Sequence, residues 1–369
     1  MAYKVRFVDY PEHYRRIWDE ITGAIEECLS RGDLILREQT DRFESALAGF
    51  VGVKHAVGLN SGTDALFFSL KAAGIVPGDE VITVSHTFVA TIAAIHYCGA
   101  TPVLVDVGED MNMDASQLEK SISSKTKAII PVHLNGRVCD MKTVNAVADD
   151  HNLIVIEDAA QSLGAKFGGK NAGSFGLTSC FSFYPAKILG CAGDGGALLT
   201  NDDAIAEKAR LLRDHGYRRS TGDILFYGYN SRIDNIQAAI LDVKLKYLPD
   251  WIKRRREIAA MYHNGLKNLD TITLPPVPVP AGDYFDVFQN YVIRTQKRDR
   301  LFGFLQEKGI ETLISWPTPT HHHPSLQLSH FRLPVTEKIS KEVLSLPLYP
   351  EISDENIACV IETIKTFSW

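Results

Sequence analysis

The sequence predicts an α/β fold with a large, mostly parallel-sheet domain and a smaller C-terminal α/β domain. Three observations predict it. First, 369 residues exceed one ordinary domain, at roughly 150 residues each. Second, short apolar runs alternate with helical patterns from His55 to Thr200, as in a parallel sheet covered by helices. Third, this alternation stops after Thr200, and a second, shorter strand–helix set follows Pro275–Pro280.

The elements follow in chain order. Residues 11–30 read as one amphipathic helix, with Ile17, Ile21, Ile25 and Cys28 at helical spacing. Strands are expected at His55–Leu59, Glu80–Val84, Thr101–Val107, Lys127–Val132, Leu153–Glu157, Ser179–Phe183 and Ala197–Thr200. Helices are expected between most of them, at Thr63–Ala73, Thr87–Tyr97, Asp114–Ser121 and Met141–His151. Asp203–His215, Asn235–Tyr247 and Trp251–Leu266 read as helices. The second unit comprises strands at Asn290–Arg294 and Glu311–Leu313 and helices at Arg298–Lys308 and Asp354–Thr366. The expected division is residues 1–250, carrying the N-terminal helix and the ligand site, and residues 251–369. PPVPVP reads as a linker or an extended edge segment. In a sheet of this kind, ligands bind beyond the carboxyl ends of the strands.

Composition narrows the function classes. Hydrophobic residues make up 45% and charged residues 23%, enough for a large core and unlike a disordered chain. The 39 Lys+Arg against 45 Asp+Glu give a net charge of −6. A mildly acidic chain has no general attraction to nucleic acid or anionic membranes, so any anion must be held by local donors. The four charges Lys253–Arg256 read as a solvated helix face. Six cysteines without C-x-x-C spacing suggest reduced thiols serving as core filler. The N-terminus has no apolar signal region and no run reaches the ~20 residues of a membrane span, so a cytoplasmic protein is expected.

Four segments carry chemistry. In SFYPAK, Lys187 follows an apolar strand and precedes the glycine-rich Gly190–Gly196. It reads as a Schiff-base lysine for pyridoxal 5′-phosphate, or as a surface lysine before a turn. In EDAAQ, Asp158 ends a buried strand, where an isolated carboxylate is costly unless a cation meets it. A protonated pyridine nitrogen would be that cation, with Gln161 at the ring's oxygen or face; the alternative is a helix cap. In NSGTDAL, Gly62 permits a tight turn, and the N–H groups of Thr63, Asp64 and Ala65 open a helix suited to an anion. The alternative is a plain N-cap. In SHTFVAT, Phe88 is placed to stack on a flat ring or to fill the core.

Taken together, SGTDAL, TFVAT, EDAAQS and SFYPAK with GDGG, joined by GYNSRID (Gly228–Asp234) and Asp140–Met141 after PVHLNG, resemble the DegT/StrS-type sugar aminotransferases. These are fold-type I enzymes dependent on pyridoxal phosphate. The resemblance spans nearly the whole chain. It implies Lys187 as the Schiff-base lysine, Asp158 as the pyridinium partner and Gln161 at the ring's oxygen side. It implies Ser182, Gly62, Thr63 and Asp64 around the phosphate and Phe88 as the stacking ring. Asn230 matches an asparagine reaching the phosphate of a neighbouring subunit, which implies a homodimer with shared sites. A minority of the family carry His at the lysine position and dehydrate their substrate; Lys187 points instead to transamination.

The implied reaction moves an amino group from an amino acid, usually L-glutamate in this family, to a nucleotide-linked ketosugar, as a step in polysaccharide or related sugar biosynthesis. WPTPTH (Trp316–His321) resembles a stretch in members acting on 3-keto sugars, so a 3-keto-6-deoxyhexose is expected. Amination of a 4-keto sugar or a keto-cyclitol is the alternative. Candidate substrate contacts are Tyr184, Arg232 and His321; Arg232 is alternatively a structural ion pair and His321 part of a surface loop. No metal is expected, because on an extended chain only His321 and His323 of the His triplet share a face. Three departures bear on the sugar: Leu36–Arg37 where relatives often have glycine, Asn135 in place of an aromatic, and Trp316 in place of Tyr. The competing class is a non-catalytic regulatory protein that binds the same cofactor, and an intact Lys187 with Asp158 and Gln161 argues against it.

Overall fold

The computed structural model describes residues 3–279 and 282–369. Its large unit is built on seven strands: β1 (His55–Leu59), β2 (Glu80–Val84), β3 (Thr101–Val105), β4 (Thr126–Ile129), β5 (Ile154–Asp158), β6 (Thr178–Ser182) and β7 (Gly196–Thr200). Their order across the sheet is β1-β7-β6-β5-β4-β2-β3. Every pairing is parallel except those of β7, which runs antiparallel to both β1 and β6. The strands are nearly continuous apolar runs, as expected where both faces are covered.

The longer helices of this unit are α1 (Tyr10–Arg16), α2 (Trp18–Arg31), α3 (Glu38–Val51), α4 (Gly62–Ala72), α5 (Ala90–Tyr97), α6 (Met141–His151), α7 (Asp203–Arg213) and α8 (Asn235–Leu245), and a four-residue turn of helix, Leu118–Ser121, lies between β3 and β4. The single helix expected at residues 11–30 is two, broken at Ile17, whose φ/ψ of −126°/20° is non-helical. Residues 87–89, expected to be helical, stay outside α5. That leaves Phe88 projecting from a strand-to-helix connection instead of packing on a helix face.

The second unit begins on the long helix α9 (Leu248–Leu266) and holds β8 (Tyr291–Arg294), α10 (Arg298–Glu307), α11 (Pro334–Glu342), β9 (Val343–Leu346) and α12 (Asp354–Lys365). β8 and β9 are antiparallel. Glu311–Leu313 forms only isolated bridges, Leu313 with Ser345 and nearby Ile310 with Val5. Residues 275–279 carry neither helix nor strand, and Pro280 of the same run lies outside the described residues. Ile258, Tyr262, Tyr291, Leu344 and Val360 centre a core separate from that of the large sheet, and Val5 belongs to it. We propose a division near residue 250 on this second core, with the first few residues joining the second unit, although Val287, Val292, Ile339 and Val343 pack into the core of the large sheet. Among the described residues, no helix is long and apolar enough to cross a membrane.

Leu36, Asn135 and Trp316, the three departures noted in the sequence, all adopt positive φ (49°, 56° and 50°). For leucine and tryptophan this left-handed conformation is costly.

The antiparallel β7 sets the site. It returns beside β6, so residues 183–195 fold back over the carboxyl edge of the sheet. β7 also passes so close to the start of α4 that a Cβ on Gly196 would lie 2.3 Å from the Ser61 carbonyl carbon. Gly196→Ala is therefore expected to destabilise the protein by about 1–3 kcal/mol in denaturant unfolding. An unchanged midpoint would contradict this packing.

Candidate active site

A cavity of about 890 Å³ opens at the carboxyl edge of the parallel strands. Its walls include Gly62 and Thr63 after β1, Phe88 after β2, His133 after β4, Asp158 and Gln161 after β5, Ser182, Tyr184 and Lys187 after β6, and Trp316 from the second unit. Phe88 and Tyr184 are largely exposed in the single chain, at 60% and 55%. A second cavity lies along Tyr10–Glu20 and contains neither Lys187 nor Asp158.

Asp158 is buried (6% exposed) and accepts hydrogen bonds from the Thr91 hydroxyl (2.8 Å) and the Ala160 N–H (3.2 Å). Among the described residues no cation lies within ion-pair distance of it. Burial pushes its carboxyl above the usual range, and the two hydrogen bonds and the Lys187 charge only partly offset this. Burial likewise pushes the Lys187 amine down, opposed by the Asp158 charge. A less basic amine becomes neutral at lower pH, so more of it is free to act as a nucleophile or to take a proton.

The anion seat differs from expectation in its donors. Ser61 caps α4, taking the Asp64 N–H on its Oγ (3.1 Å), while its carbonyl takes the Ala65 N–H (3.2 Å). The free N–H groups are therefore those of Gly62 and Thr63. The Asp64 carboxylate faces away and accepts from the Ser231 hydroxyl at 2.6 Å. Ser182 lies against Gly62, where a Cβ would come within 2.8 Å of the Ser182 Cβ. The two backbone donors of this helix N-terminus thus lie beside the Ser182 side chain.

Gln161 accepts the Asn135 N–H on Oε1 (2.8 Å), which leaves its amide NH₂ free to face the cavity.

Four residues escaped the sequence reading. Thr91, the last residue of TFVAT, holds Asp158. Glu157 is fully buried and accepts from the N–H groups of Gly173, Phe175 and Gly176 and from His133 Nε2 (3.0 Å). The Glu157 charge pulls His133 toward protonation, but the Cys139 N–H aimed at its Nδ1 (3.2 Å) occupies the lone pair a second proton needs. We assign His133 as the neutral Nε2–H tautomer. Gln289, from the second unit, donates to the Ala186 carbonyl and accepts the Ile188 N–H, both at 2.7 Å. It clamps the backbone on both sides of Lys187. Thr91, Glu157 and His133 lie inside segments already quoted and Gln289 in none, but the roles of all four depend on contacts between segments distant in sequence.

Two expected contacts, Arg232 and His321, lie elsewhere, while Asn230, expected to serve a neighbouring subunit, lies on the surface. Arg232 does not line the cavity; it pairs with Asp214 (2.9 Å), as Arg219 does, and both hold that carboxyl low despite its burial. Asn230 is exposed and outside the cavity of its own chain. His321 is fully buried behind the wall, with Nδ1 2.7 Å from Ser85 Oγ and Nε2 3.4 Å from Glu337. The facing rule for the His triplet also fails, because Thr320–His322 is a 3₁₀ turn and not extended chain. His321 and His322, not His323, flank Glu337, with their ligand atoms and that of Glu337 within 4.8 Å of one another.

The charge coupling gives a direct test. In cofactor-free protein, Asp158→Asn removes the anion that favours the Lys187 ammonium. The midpoint of Lys187 modification by an amine-reactive reagent should then move to lower pH. A move to higher pH would contradict the placement of the two groups.

The donor set fits pyridoxal 5′-phosphate: a depressed lysine for its aldehyde, a cation-free buried carboxylate for its ring nitrogen, an anion seat for its phosphate and Phe88 for its face. The comparisons agree. The model of the DegT/DnrJ/EryC1/StrS aminotransferase family matches residues 15–365. A dTDP-3-amino-3,6-dideoxy-alpha-D-galactopyranose transaminase of Aneurinibacillus thermoaerophilus is 42% identical, over 99% of this chain and 100% of its own. A pleiotropic regulatory protein of Geobacillus stearothermophilus is 42% identical over 98% of both chains. The crystal structure of S. venezuelae DesV in complex with a ketimine intermediate superposes with a TM-score of 0.94, at 40% identity, over 99% of this chain and 98% of that one. This chain belongs to the DegT/DnrJ/EryC1/StrS aminotransferase family.

Proposed function

We propose that this protein is a pyridoxal-phosphate-dependent aminotransferase that moves an amino group from an amino acid, L-glutamate first among them, to carbon 3 of a nucleotide-linked 3-keto-6-deoxyhexose. The observation that carries it is the depressed Lys187 amine beside the buried, cation-free Asp158 in one cavity. The 3-amino sugar named for the Aneurinibacillus relative supports the carbon.

The bound cofactor supplies an aldehyde that carries the amino group and a ring that withdraws electrons from the carbon losing a proton. The remaining work belongs to the chain. Gly62 and Thr63 N–H groups and the Ser182 hydroxyl hold the phosphate. Asp158, braced by Thr91, keeps the ring nitrogen protonated, and Phe88 covers one face. Lys187 Nζ, whose hold on a proton is weakened by burial, takes the proton from the donor's α-carbon and returns it on the far side of the transfer. In the ketosugar half-reaction the same amine runs the transfer in reverse. Tyr184 and Trp316 flank the mouth where a sugar nucleotide arrives.

A second copy completes the site in this reading. Ile224 (72% exposed), Leu225 and the fully exposed Tyr227 lead directly to the exposed Asn230. A homodimer covers this apolar stretch and brings Asn230 to the partner's phosphate. We place the protein in the cytoplasm, where sugar nucleotides are made.

The name of the Geobacillus relative favours a second reading, a regulatory protein that uses the same site for binding alone. The two readings separate by experiment. The transaminase reading expects L-glutamate to bleach the visible band of the loaded protein and a nucleotide-linked 3-keto sugar to restore it, with a 4-keto sugar and a keto-cyclitol much slower. Lys187→Ala should lower turnover by more than about a thousandfold. A loaded wild-type protein inert to every amino donor supports the regulatory reading. Mixing inactive Lys187→Ala and Asn230→Ala chains should restore part of the activity, since each mixed dimer keeps one intact site. No recovery contradicts the shared site.

A further inference from the structure

His321 and His322 stand on one short turn, and the proposed reaction uses neither them nor Glu337. None of the three lines the cavity that holds Lys187 and Asp158. The expectation of no metal rested on an extended chain through the His triplet, and the 3₁₀ turn at Thr320–His322 removes that ground. The turn brings the two rings side by side, with centroids 4.3 Å apart. Glu337, on α11, faces both.

The distances suit a shared cation better than hydrogen bonds. His321 Nε2 lies 3.4 Å, and His322 Nε2 3.7 Å, from the same Glu337 oxygen, Oε1. A good N–H donor sits about 2.9 Å from its acceptor. Two ligand atoms on one tetrahedral zinc ion, with bonds near 2.0–2.1 Å, stand roughly 3.3–3.4 Å apart. The three ligand atoms all lie within 4.8 Å of one another. Two imidazole nitrogens and one carboxylate oxygen suit a zinc-class divalent ion, whereas magnesium and calcium prefer oxygen ligands throughout.

Both halves of the cluster are held by buried groups at strand ends. On the turn side, Ser85, directly after β2, places Oγ 2.7 Å from His321 Nδ1 and accepts the His321 N–H (3.2 Å). Thr320 Oγ donates to the Thr87 carbonyl (3.4 Å). On the helix side, Asp106, directly after β3 and 2% exposed, accepts the Val335 and Thr336 N–H groups (2.8 Å each) and the Thr336 hydroxyl (2.7 Å). The Leu333 N–H donates to Glu337 Oε1 itself (3.3 Å). Ligands placed in advance lose little freedom on binding. With Nδ1 against Ser85, His321 has Nε2 left for an ion, and a partner on the far nitrogen is what orients a ligating imidazole. The His321 side chain is fully buried, while those of His322 and Glu337 are 41% and 31% exposed. An ion here is anchored on its inner side and reached by water on its outer side.

We propose that His321, His322 and Glu337 bind one zinc-class divalent ion, with water completing its coordination. The ion ties the 3₁₀ turn to α11, against the connection that carries Phe88. It lies behind the cavity wall and takes no part in amino transfer, so this inference stands apart from the transaminase reading.

The test uses cofactor-loaded protein stripped with a chelator and then dialysed against zinc chloride. Wild-type protein should take up one zinc ion per chain. His322→Ala and Glu337→Gln should each weaken that uptake by at least about 100-fold, because losing a mere outer partner of a ligand already costs about 10–100-fold. Ser85→Ala, which removes such a partner, should fall within that smaller range. Zinc should raise the thermal midpoint of wild-type protein and not that of His322→Ala, and magnesium chloride should raise neither. Cobalt(II) gives an independent signal: the visible bands of a four-coordinate ion should appear with wild-type protein and be absent from His322→Ala. Failure of wild-type protein to take up zinc, or equal uptake and an equal midpoint shift in His322→Ala, overturns the assignment. If Glu337→Gln does not fold, His322→Ala, which alters a partly exposed side chain, decides.

Discussion

A carboxylate buried at the end of a parallel strand, with no cation of the described residues within ion-pair distance, is the constraint on which this structure turns. Asp158 has one side-chain donor and one backbone donor, and burial still disfavours its charge. A protein spends stability to keep such a group ionised, and the cost is recovered when a cationic ring nitrogen docks against it. The surrounding features serve that requirement. The continuous apolar strands bury the sheet edge, the unwound residues 87–89 present Phe88, and Thr91 is turned back onto the carboxylate.

The reactive amine is fixed by a different device. Lys187 lies on the connection that β7, the one antiparallel strand, folds over the sheet edge. Such a connection has no ladder of its own to hold it. Gln289 supplies the missing hydrogen bonds from the second unit, and Arg255 holds Gln289 in turn. The second unit is thus more than a cover. It fixes the lysine backbone, so the two cores are joined through the chemistry as well as through α9.

Much of this was legible in the sequence, for reasons that are local. Apolar runs report strands, and residues at strand ends report the site, so Lys187, Asp158, Gln161, Ser182, Gly62, Thr63 and Phe88 all line one cavity. What was not legible depends on partners far along the chain. Arg232 reads the same whether it meets a phosphate or Asp214, and the pairing with Asp214 decides it. His321 sits in a motif-like stretch, yet Ser85, 236 residues away, draws it behind the wall. The Asp64 N–H looked free because its acceptor is a side chain three residues earlier, visible only once the cap forms. Gln289 and Arg255 carry no motif at all. The break at Ile17 and the positive φ of Leu36 and Trp316 are overrides of local preference by packing.

The central claim is that Asp158 holds the ring nitrogen of the cofactor in its protonated form. Nitrogen-15 magnetic resonance of protein loaded with ring-labelled pyridoxal phosphate measures this directly. The account predicts a protonated pyridine resonance that stays unchanged across the pH range in which the fold is stable, and its loss in Asp158→Asn. A neutral ring nitrogen in the wild-type protein at neutral pH would contradict it.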